Sequence, residues 1–212
     1  MTAEMFQLTA VMVADEPSAW AAAGFTMAGN ATRVGNTTVV CDPGSGDGGI
    51  TEVSIEGLDG AIDGLSVRQR ALPPVDAAVS SHPNRVSGFD HLVVMSPAIE
   101  RTSTALSTAG LSRRRTREFT VGDEVRRQDF FWLGDVILEL VGLQGVAGDG
   151  PASFWGLALE CGDLDAAAAD LGDRLGRVKD AVQPGRRIAT MRTRDLGISV
   201  PIALMSPHVS SS

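Results

Sequence analysis

The sequence contains little cysteine and no long hydrophobic run, and both absences exclude classes of protein. Its two cysteines, Cys41 and Cys161, are too few for a disulfide framework and form no C-x-x-C spacing. No stretch approaches the roughly 18 uninterrupted apolar residues of a membrane span. The N-terminal residues also lack the basic region of a secretion signal. A reduced, cytoplasmic setting without a membrane partner is therefore expected.

Positive charge is also scarce. Eighteen Lys and Arg stand against 26 Asp and Glu, which gives a net charge of −8 and a pI near 4.8. Nucleic acid or an anionic membrane would need a basic face, so neither is expected as the main partner. The arginines nevertheless cluster locally, at Arg113 to Arg117, Arg126–Arg127 and Arg186–Arg187, and this clustering allows a local anion site. The 43% hydrophobic and 21% charged content is typical of a globular domain.

A repeated order of predicted elements, strand–helix–strand–strand–strand, organises the chain. It recurs over residues 1–58, where it is degenerate, and then over 88–145 and 152–207. Residues 59–87 are rich in Gly, Pro, Asp and Ser and are predicted to connect the first unit to the second. Residues 208–212 are predicted to be a frayed tail. One helix per unit against antiparallel strands predicts an α+β fold made of βαβββ modules.

The second unit has the clearest signals. A short apolar strand over residues 89–95 runs into Ser96, a good N-cap, and Pro97, which suits the first helical position. Gly110 is the expected end of this helix. The unit closes with an apolar strand over residues 135–141. These signals predict two buried strands on either side of one amphipathic helix.

His91 lies in the opening strand of this unit and Glu139 in the closing strand. An ionised carboxylate is seldom buried without a partner, so Glu139 either contacts a ligand, pairs with an arginine or faces solvent. His91 is either a metal ligand or a buried histidine bonded to a backbone group. If both side chains face one cavity, an unpaired Glu139 should have a raised pKa and serve as a general base.

The strand between them alternates so that Arg126, Gln128, Phe130 and Trp132 share one face. If this face lines a cavity, Arg126 and Gln128 can hold a substrate carboxylate or another oxygen. Trp132, together with Trp155 from the third unit, could then stack on a ligand ring. The alternative is a solvated face with the aromatic residues in the core.

Three segments, Gly88–Val94, Ala109–Leu111 and Phe131–Val141, resemble motifs of the vicinal oxygen chelate superfamily. That superfamily includes glyoxalases, bleomycin-resistance proteins and extradiol dioxygenases. The resemblance implies curved, partly open mixed sheets and a small oxygenated substrate bound in a sheet cleft. It also implies a divalent metal ion (Zn, Mn, Ni or Fe(II)) held by His91 and Glu139. Lyase or isomerase chemistry would follow, in which the metal polarises the substrate and Glu139 moves a proton.

The implied ligand set is incomplete, because the family takes further ligands from a partner unit. The matching positions of the third unit are Gly156 and Ile202, and neither side chain can bind a metal ion. In the first unit they fall near Ala10 and at either Val40 or Glu56, of which only Glu56 could coordinate.

Three solutions remain open at this point. Glu56, or its neighbour Glu52, completes the site; or two copies of His91 and Glu139 meet across a dimer axis; or no metal binds. In the last case the cavity would bind a ligand or drug, as bleomycin-resistance proteins do. Three units are an odd number, and each four-stranded unit leaves one face to be covered, so a homodimer is expected.

Overall fold

The computed structural model describes residues 6–69 and 81–207. The predicted tail, 208–212, and residues 70–80 of the predicted connector lie outside the described residues, as do residues 1–5.

The first sheet is built from the N-terminal third of the chain and carries one short helix, α1, at Pro17–Ala22. Its six strands are β1 (Leu8–Val13), β2 (Ala31–Val34), β3 (Thr37–Cys41), β4 (Ile50–Ile55), β5 (Gly60–Ile62) and β6 (Leu65–Val67). They lie in the order β2-β3-β1-β4-β6-β5. The short strands β5 and β6 fall within the predicted connector. They were not predicted, because the Gly and Asp residues around them are typical of loops.

The second sheet combines the second and third predicted units, with helices α2 (Ile99–Thr108) and α3 (Leu164–Leu171). Its eight strands are β7 (Val86–Met95), β8 (Arg113–Val121), β9 (Glu124–Leu133), β10 (Val136–Leu143), β11 (Ser153–Cys161), β12 (Lys179–Asp180), β13 (Arg187–Thr190) and β14 (Ile202–Met205). They lie in the order β12-β13-β14-β11-β7-β10-β9-β8. Short 3₁₀ turns occupy Gly172–Arg174 and Thr193–Leu196.

Both sheets follow one pairing scheme. In the second, β7 lies between β10, which runs parallel to it, and β11, which runs antiparallel. In the first, β1 lies between the parallel β3 and the antiparallel β4 in the same way. The predicted α+β fold with partly open mixed sheets is therefore confirmed. Among the described residues, no helix is both long and apolar enough to cross a membrane.

Strand alternation separates the core from the site. In β7 and β10, Leu92 and Leu140 point into one apolar core that also takes residues from the first sheet and from the helices. Leu106 of α2 and Leu164 of α3 are buried in the same core. The intervening residues of β7 and β10 face the opposite side of the sheet. That side, termed the open face below, carries the candidate site.

Candidate functional site

A cavity of about 460 Å³ lies on the open face of the second sheet, and it is termed the cleft below. Its size is within the ~300–1,000 Å³ range of small-molecule sites. The walls are mainly apolar and come from β7, β10, β11, β13 and β14. Four polar residues line it: His91, Arg126, Glu139 and Thr190. The cleft thus offers an apolar body with few polar groups, which is the usual composition of a ligand pocket.

His91 and Glu139 form the polar centre of the cleft. They lie on adjacent parallel strands, where His91 pairs with Ile137 and Glu139 with Val93. The Nε2 atom of His91 lies 3.2 Å from Oε2 of Glu139, and the two side chains are only 15% and 12% exposed. The structure therefore brings these two residues into direct contact.

Behind His91 stand two buried residues of opposite charge. The Nδ1 atom of His91 lies 2.7 Å from Oδ2 of Asp90. The other oxygen, Oδ1, lies 2.6 Å from Nη2 of Arg186, and both partners of this ion pair are almost fully buried. These contacts form a continuous chain, termed the polar relay below, that links Arg186, Asp90, His91 and Glu139. It runs from Arg186, which immediately precedes β13, to the cleft.

A β-bulge places Asp90 in this relay. Across the β7–β11 ladder, His91 pairs with Ala158 but Phe89 pairs with Leu159, so Asp90 is the extra residue on β7. Without the bulge, strict alternation would send the side chains of Asp90 and His91 to opposite faces. The bulge lets neighbouring residues share one hydrogen bond.

Gln128 holds the other oxygen of Glu139. Its Nε2 donates a hydrogen bond to Oε1 of Glu139. Burial raises the pKa of Glu139. The charges of His91 and Arg117 and the bond from Gln128 act against this rise. Glu139 is thus a carboxyl group whose proton is held more tightly than in water, at the edge of an apolar cavity.

The hydrogen bonds determine where the protons lie. The pKa of Asp90 is lowered: burial opposes ionisation, but the hydrogen bonds from His91 and Arg186 outweigh it, so this group is a carboxylate. The Asp90 carboxylate can only accept a hydrogen bond, so His91 must donate to it through Nδ1–H. The remaining nitrogen, Nε2, then shares a proton with Glu139. Either Glu139 donates to a neutral imidazole, or an imidazolium donates to the carboxylate.

The side chains of the cleft do not fit a metal centre. Within residues 6–69 and 81–207, no three His, Cys, Asp or Glu side chains are grouped so that they could hold one ion. His91 and Glu139 supply two donors, while catalytic metal sites usually have three protein ligands and an open position. The cleft is therefore at least one protein ligand short of such a site.

The partner positions explain the missing donors. β11 carries a bulge at Trp155 that mirrors the bulge at Asp90, so Gly156 takes the position corresponding to His91. Since Ala158 pairs with Ala203 on β14, Ala203 rather than Ile202 corresponds to Glu139. The predicted match at Ile202 was wrong by one residue, because it was counted from Gly197 as the equivalent of Gly134, and the chain has one more residue between Gly197 and Ala203 than between Gly134 and Glu139. Neither Gly156 nor Ala203 can bind a metal ion through its side chain.

The first sheet supplies no donor to the cleft either. Ala10 pairs with Thr38 as His91 pairs with Ile137, which makes Val40 the counterpart of Glu139. Val40 packs against Met12 and Ala31 in a small apolar cluster. Glu56, predicted as a possible third ligand, is exposed just beyond β4 and is not among the residues that line the cleft.

The four predicted substrate contacts are placed differently from one another. Arg126 and Trp155 line the cleft, and Trp155 is 52% exposed at its mouth. Gln128 reaches it through Glu139. Trp132 shares the strand face of Arg126 but is 46% exposed and is not among the lining residues.

Asp90 and Arg186 are the site residues that sequence reasoning missed. Asp90 stands inside the motif beside His91, and Arg186 belongs to an arginine pair that was noted only as a local cluster. A charged residue within an apolar strand was the available signal for Asp90. For Arg186 no local pattern indicates a contact with a residue 96 positions earlier in the chain.

The chain has the glyoxalase-like fold that the motif resemblance predicted. No protein-family model and no curated protein sequence matches the chain. Two solved structures with TM-scores above 0.6 share its fold.

One is a mutant of 4-hydroxymandelate synthase from Streptomyces coelicolor, with a TM-score of 0.66, 11% identity, and alignment over 97% of this chain and 94% of that chain. Another is a fusion of a xylose isomerase-like TIM barrel with 4-hydroxyphenylpyruvate dioxygenase, with a TM-score of 0.63 and 12% identity. That alignment covers 97% of this chain and 49% of the fusion. Methylmalonyl-CoA epimerase from Mycobacterium tuberculosis matches over 59% of this chain and 91% of its own, with a TM-score of 0.45 and 18% identity. At these identities the likeness concerns the fold alone.

Proposed function

We propose that the cleft binds a small, mainly apolar, oxygen-bearing organic molecule without a metal ion. This is the ligand-binding variant of the glyoxalase-like fold, rather than its metal-dependent variant. The observation that carries the proposal is the contact between His91 and Glu139. Each of the two potential ligands already has its free donor or acceptor engaged by the other, 3.2 Å away.

The composition of the cleft supports this proposal. Its lining is apolar except for His91, Arg126, Glu139 and Thr190. Trp155 presents a large exposed ring at the mouth, where it can stack on a ligand. A ligand with an apolar body would gain from burial there, since each Å² removed from water contributes roughly 25 cal/mol.

The test uses the neutral apolar dye N-phenyl-1-naphthylamine, whose fluorescence rises in an apolar site. We expect it to bind equally well with and without EDTA. Ala203→Phe, which fills the cleft from β14, should weaken binding roughly tenfold or more. Ala169→Phe adds the same ring at an exposed position of α3 and serves as the matched control. Loss of binding in EDTA, or equal behaviour of the two variants, would contradict the proposal.

A second candidate function, metal-independent proton transfer of the lyase or isomerase type, rests on the polar relay. A carboxylate whose pKa is raised by burial is a stronger base than one in water, and Glu139 lies next to a cavity. Glu139 as carboxylate would take a proton from a carbon beside a substrate carbonyl, and the C–H electron pair would move onto the carbonyl oxygen. Return of that proton to a different carbon of the substrate, as the electron pair moves back from the oxygen, would complete an isomerisation. Asp90 would keep His91 oriented throughout.

This candidate is tested by deuterium exchange in D₂O containing EDTA, with 4-phenylbutan-2-one as the probe ketone. Proton NMR should show faster loss of the hydrogens next to the carbonyl with the protein than with Glu139→Gln. Equal exchange rates with the two proteins would contradict proton transfer by Glu139 but would leave the proposal of ligand binding intact.

The homodimer remains part of the proposal. The free edges of the second sheet are β12, which is only two residues long, and β8, which is rich in arginine. Like charges facing each other disfavour pairing of two β8 strands, so a dimer would have to use another surface. Analytical ultracentrifugation at micromolar protein gives the answer: a single species at 22.1 kDa would contradict a dimer.

A further inference from the structure

We infer that the ligand of the cleft is an organic anion, and that Arg126 and Arg117 bind its negatively charged group. This inference rests on the proposed function, because it names the chemical class of the molecule that the cleft accepts. It concerns the end of the cleft near the β8–β9 hairpin, where Arg126 lies, while Arg117 stands between this end and Glu139.

Arg126 carries a positive charge that the protein neutralises only weakly. It lines the cleft, and its side chain is 37% exposed. The acidic group in contact with it, Glu124, lies 3.5 Å away and is itself 56% exposed. The Nε atom of Arg126 is buried and has no hydrogen-bond acceptor among the described residues. A guanidinium in this state favours an anion from outside the protein.

Arg117 stands beside it on the same face of the sheet. In the β8–β9 ladder Arg117 pairs with Gln128, and Phe119 pairs with Arg126. The two arginines are therefore diagonal neighbours, about 7–8 Å apart at the backbone, and their long side chains can converge on one group. Arg117 rests near the Phe119 ring, 5.4 Å from its centroid.

Within the described part of the chain, no carboxylate lies within ion-pair distance of Arg117. Other described arginines, such as Arg33 and Arg194, also have no acidic side chain of the described residues within ion-pair distance. What distinguishes this pair is therefore its place: Arg126 lines the cleft and Arg117 is its neighbour. The arginines that do hold an acidic partner at 3.4 Å or less are Arg85, Arg101, Arg113, Arg127, Arg186 and Arg187. Arg126 thus places a weakly compensated positive charge at an apolar cavity, in a protein whose net charge is −8.

The geometry also sets the orientation of the ligand in the cleft. Along β10, Glu139 and the residue that pairs with Arg126, Leu143, are four positions apart. At roughly 3.3 Å per residue, this places the two backbone sites about 13 Å from each other. The charged group would lie at the arginine end, and the apolar body would extend over Val141 and Met95 toward Glu139.

Two dyes that differ by one charged group test the inference. N-Phenyl-1-naphthylamine is neutral, and 8-anilinonaphthalene-1-sulfonate carries the same rings with one sulfonate. With the full-length protein, we expect the sulfonate dye to bind roughly tenfold more tightly than the neutral dye. Arg126→Gln should remove most of this advantage, and Arg117→Gln part of it. The advantage should also shrink as salt is added.

The matched control is Arg194→Gln, which removes one positive charge from an exposed turn. It should leave the affinity for both dyes unchanged. Unchanged binding of the neutral dye to Arg126→Gln shows that this variant is folded. If both dyes bind alike, or Arg194→Gln and Arg126→Gln behave alike, the inference is wrong while the proposed function stands. If neither dye binds, the proposed function fails and the inference with it.

Discussion

A side chain on Gly156 would collide with Pro201: an ideal Cβ at Gly156 would lie 2.7 Å from the Pro201 carbonyl oxygen. That oxygen also accepts the backbone hydrogen bond of Leu157, so it cannot move away without breaking the ladder. Gly156 occupies the position that corresponds to His91 in the paired module. The position from which a further metal ligand would project is therefore closed by the backbone itself.

The first prediction follows from this contact. Gly156→Ala should destabilise the protein by about 1–3 kcal/mol, because the added methyl group forces the two strands apart. Gly162→Ala is the control, since a Cβ at that position would meet nothing within 4 Å. Urea unfolding followed by circular dichroism measures both. Equal urea midpoints for the two variants would contradict this prediction and show that the backbone at Pro201 can shift to accommodate a side chain at position 156.

The buried ion pair of the polar relay gives the second prediction. Asp90→Asn should cost about 3–5 kcal/mol of the free energy of unfolding, because it removes one charge of a buried ion pair. Asp165→Asn breaks a pair of similar length, Arg187 to Asp165 at 2.7 Å, but on the exposed surface. Its urea midpoint should barely move. A similar loss in both variants would mean that burial does not set the cost.

The third prediction concerns pH and His82, which joins two segments of the first half of the chain. Its Nδ1 accepts the Thr26 N–H at 3.1 Å, and its Nε2 donates to the Arg33 carbonyl at 2.9 Å. Burial lowers the pKa of His82, and the bond to Arg33 opposes this only in part. The folded state thus takes up a proton less readily than the unfolded state, whose histidine has a pKa of about 6.5.

The sign of the effect follows from linkage. As pH falls through about 6.5, the unfolded state gains a proton that the folded state does not, so stability is lost. We expect the wild type to lose more free energy of unfolding between about pH 7.5 and 5.5 than His82→Gln, which has no ring to protonate. Identical pH dependence of the two proteins would show that His82 is not the group responsible.

Much of the fold could be predicted from the sequence, because the spacing of apolar residues within a single segment already distinguishes a strand from a helix. The helix after Pro97 and the strands that carry His91 and Glu139 were predicted close to their observed bounds. Their contact follows from placing the opening and closing strands of one module side by side.

The remaining features depend on long-range geometry. The bulges at Asp90 and Trp155 shift the register by one residue, and alternation alone does not reveal them. Arg186 reaches Asp90 only because β11 and β14 bring the two modules together. Glu56 looked suitable as a donor by residue type, but its position on the first sheet, which no local pattern indicates, places it outside the cleft.

Calorimetric titration with Zn²⁺, Mn²⁺, Ni²⁺ and Fe²⁺ tests the central claim most directly, that the cleft works without a metal ion. We predict no stoichiometric binding to the wild type and no difference between the wild type, His91→Ala and Glu139→Gln. Binding of one ion per chain that both substitutions abolish would contradict the account, and would show that His91 and Glu139 exchange their mutual contact for a metal ion.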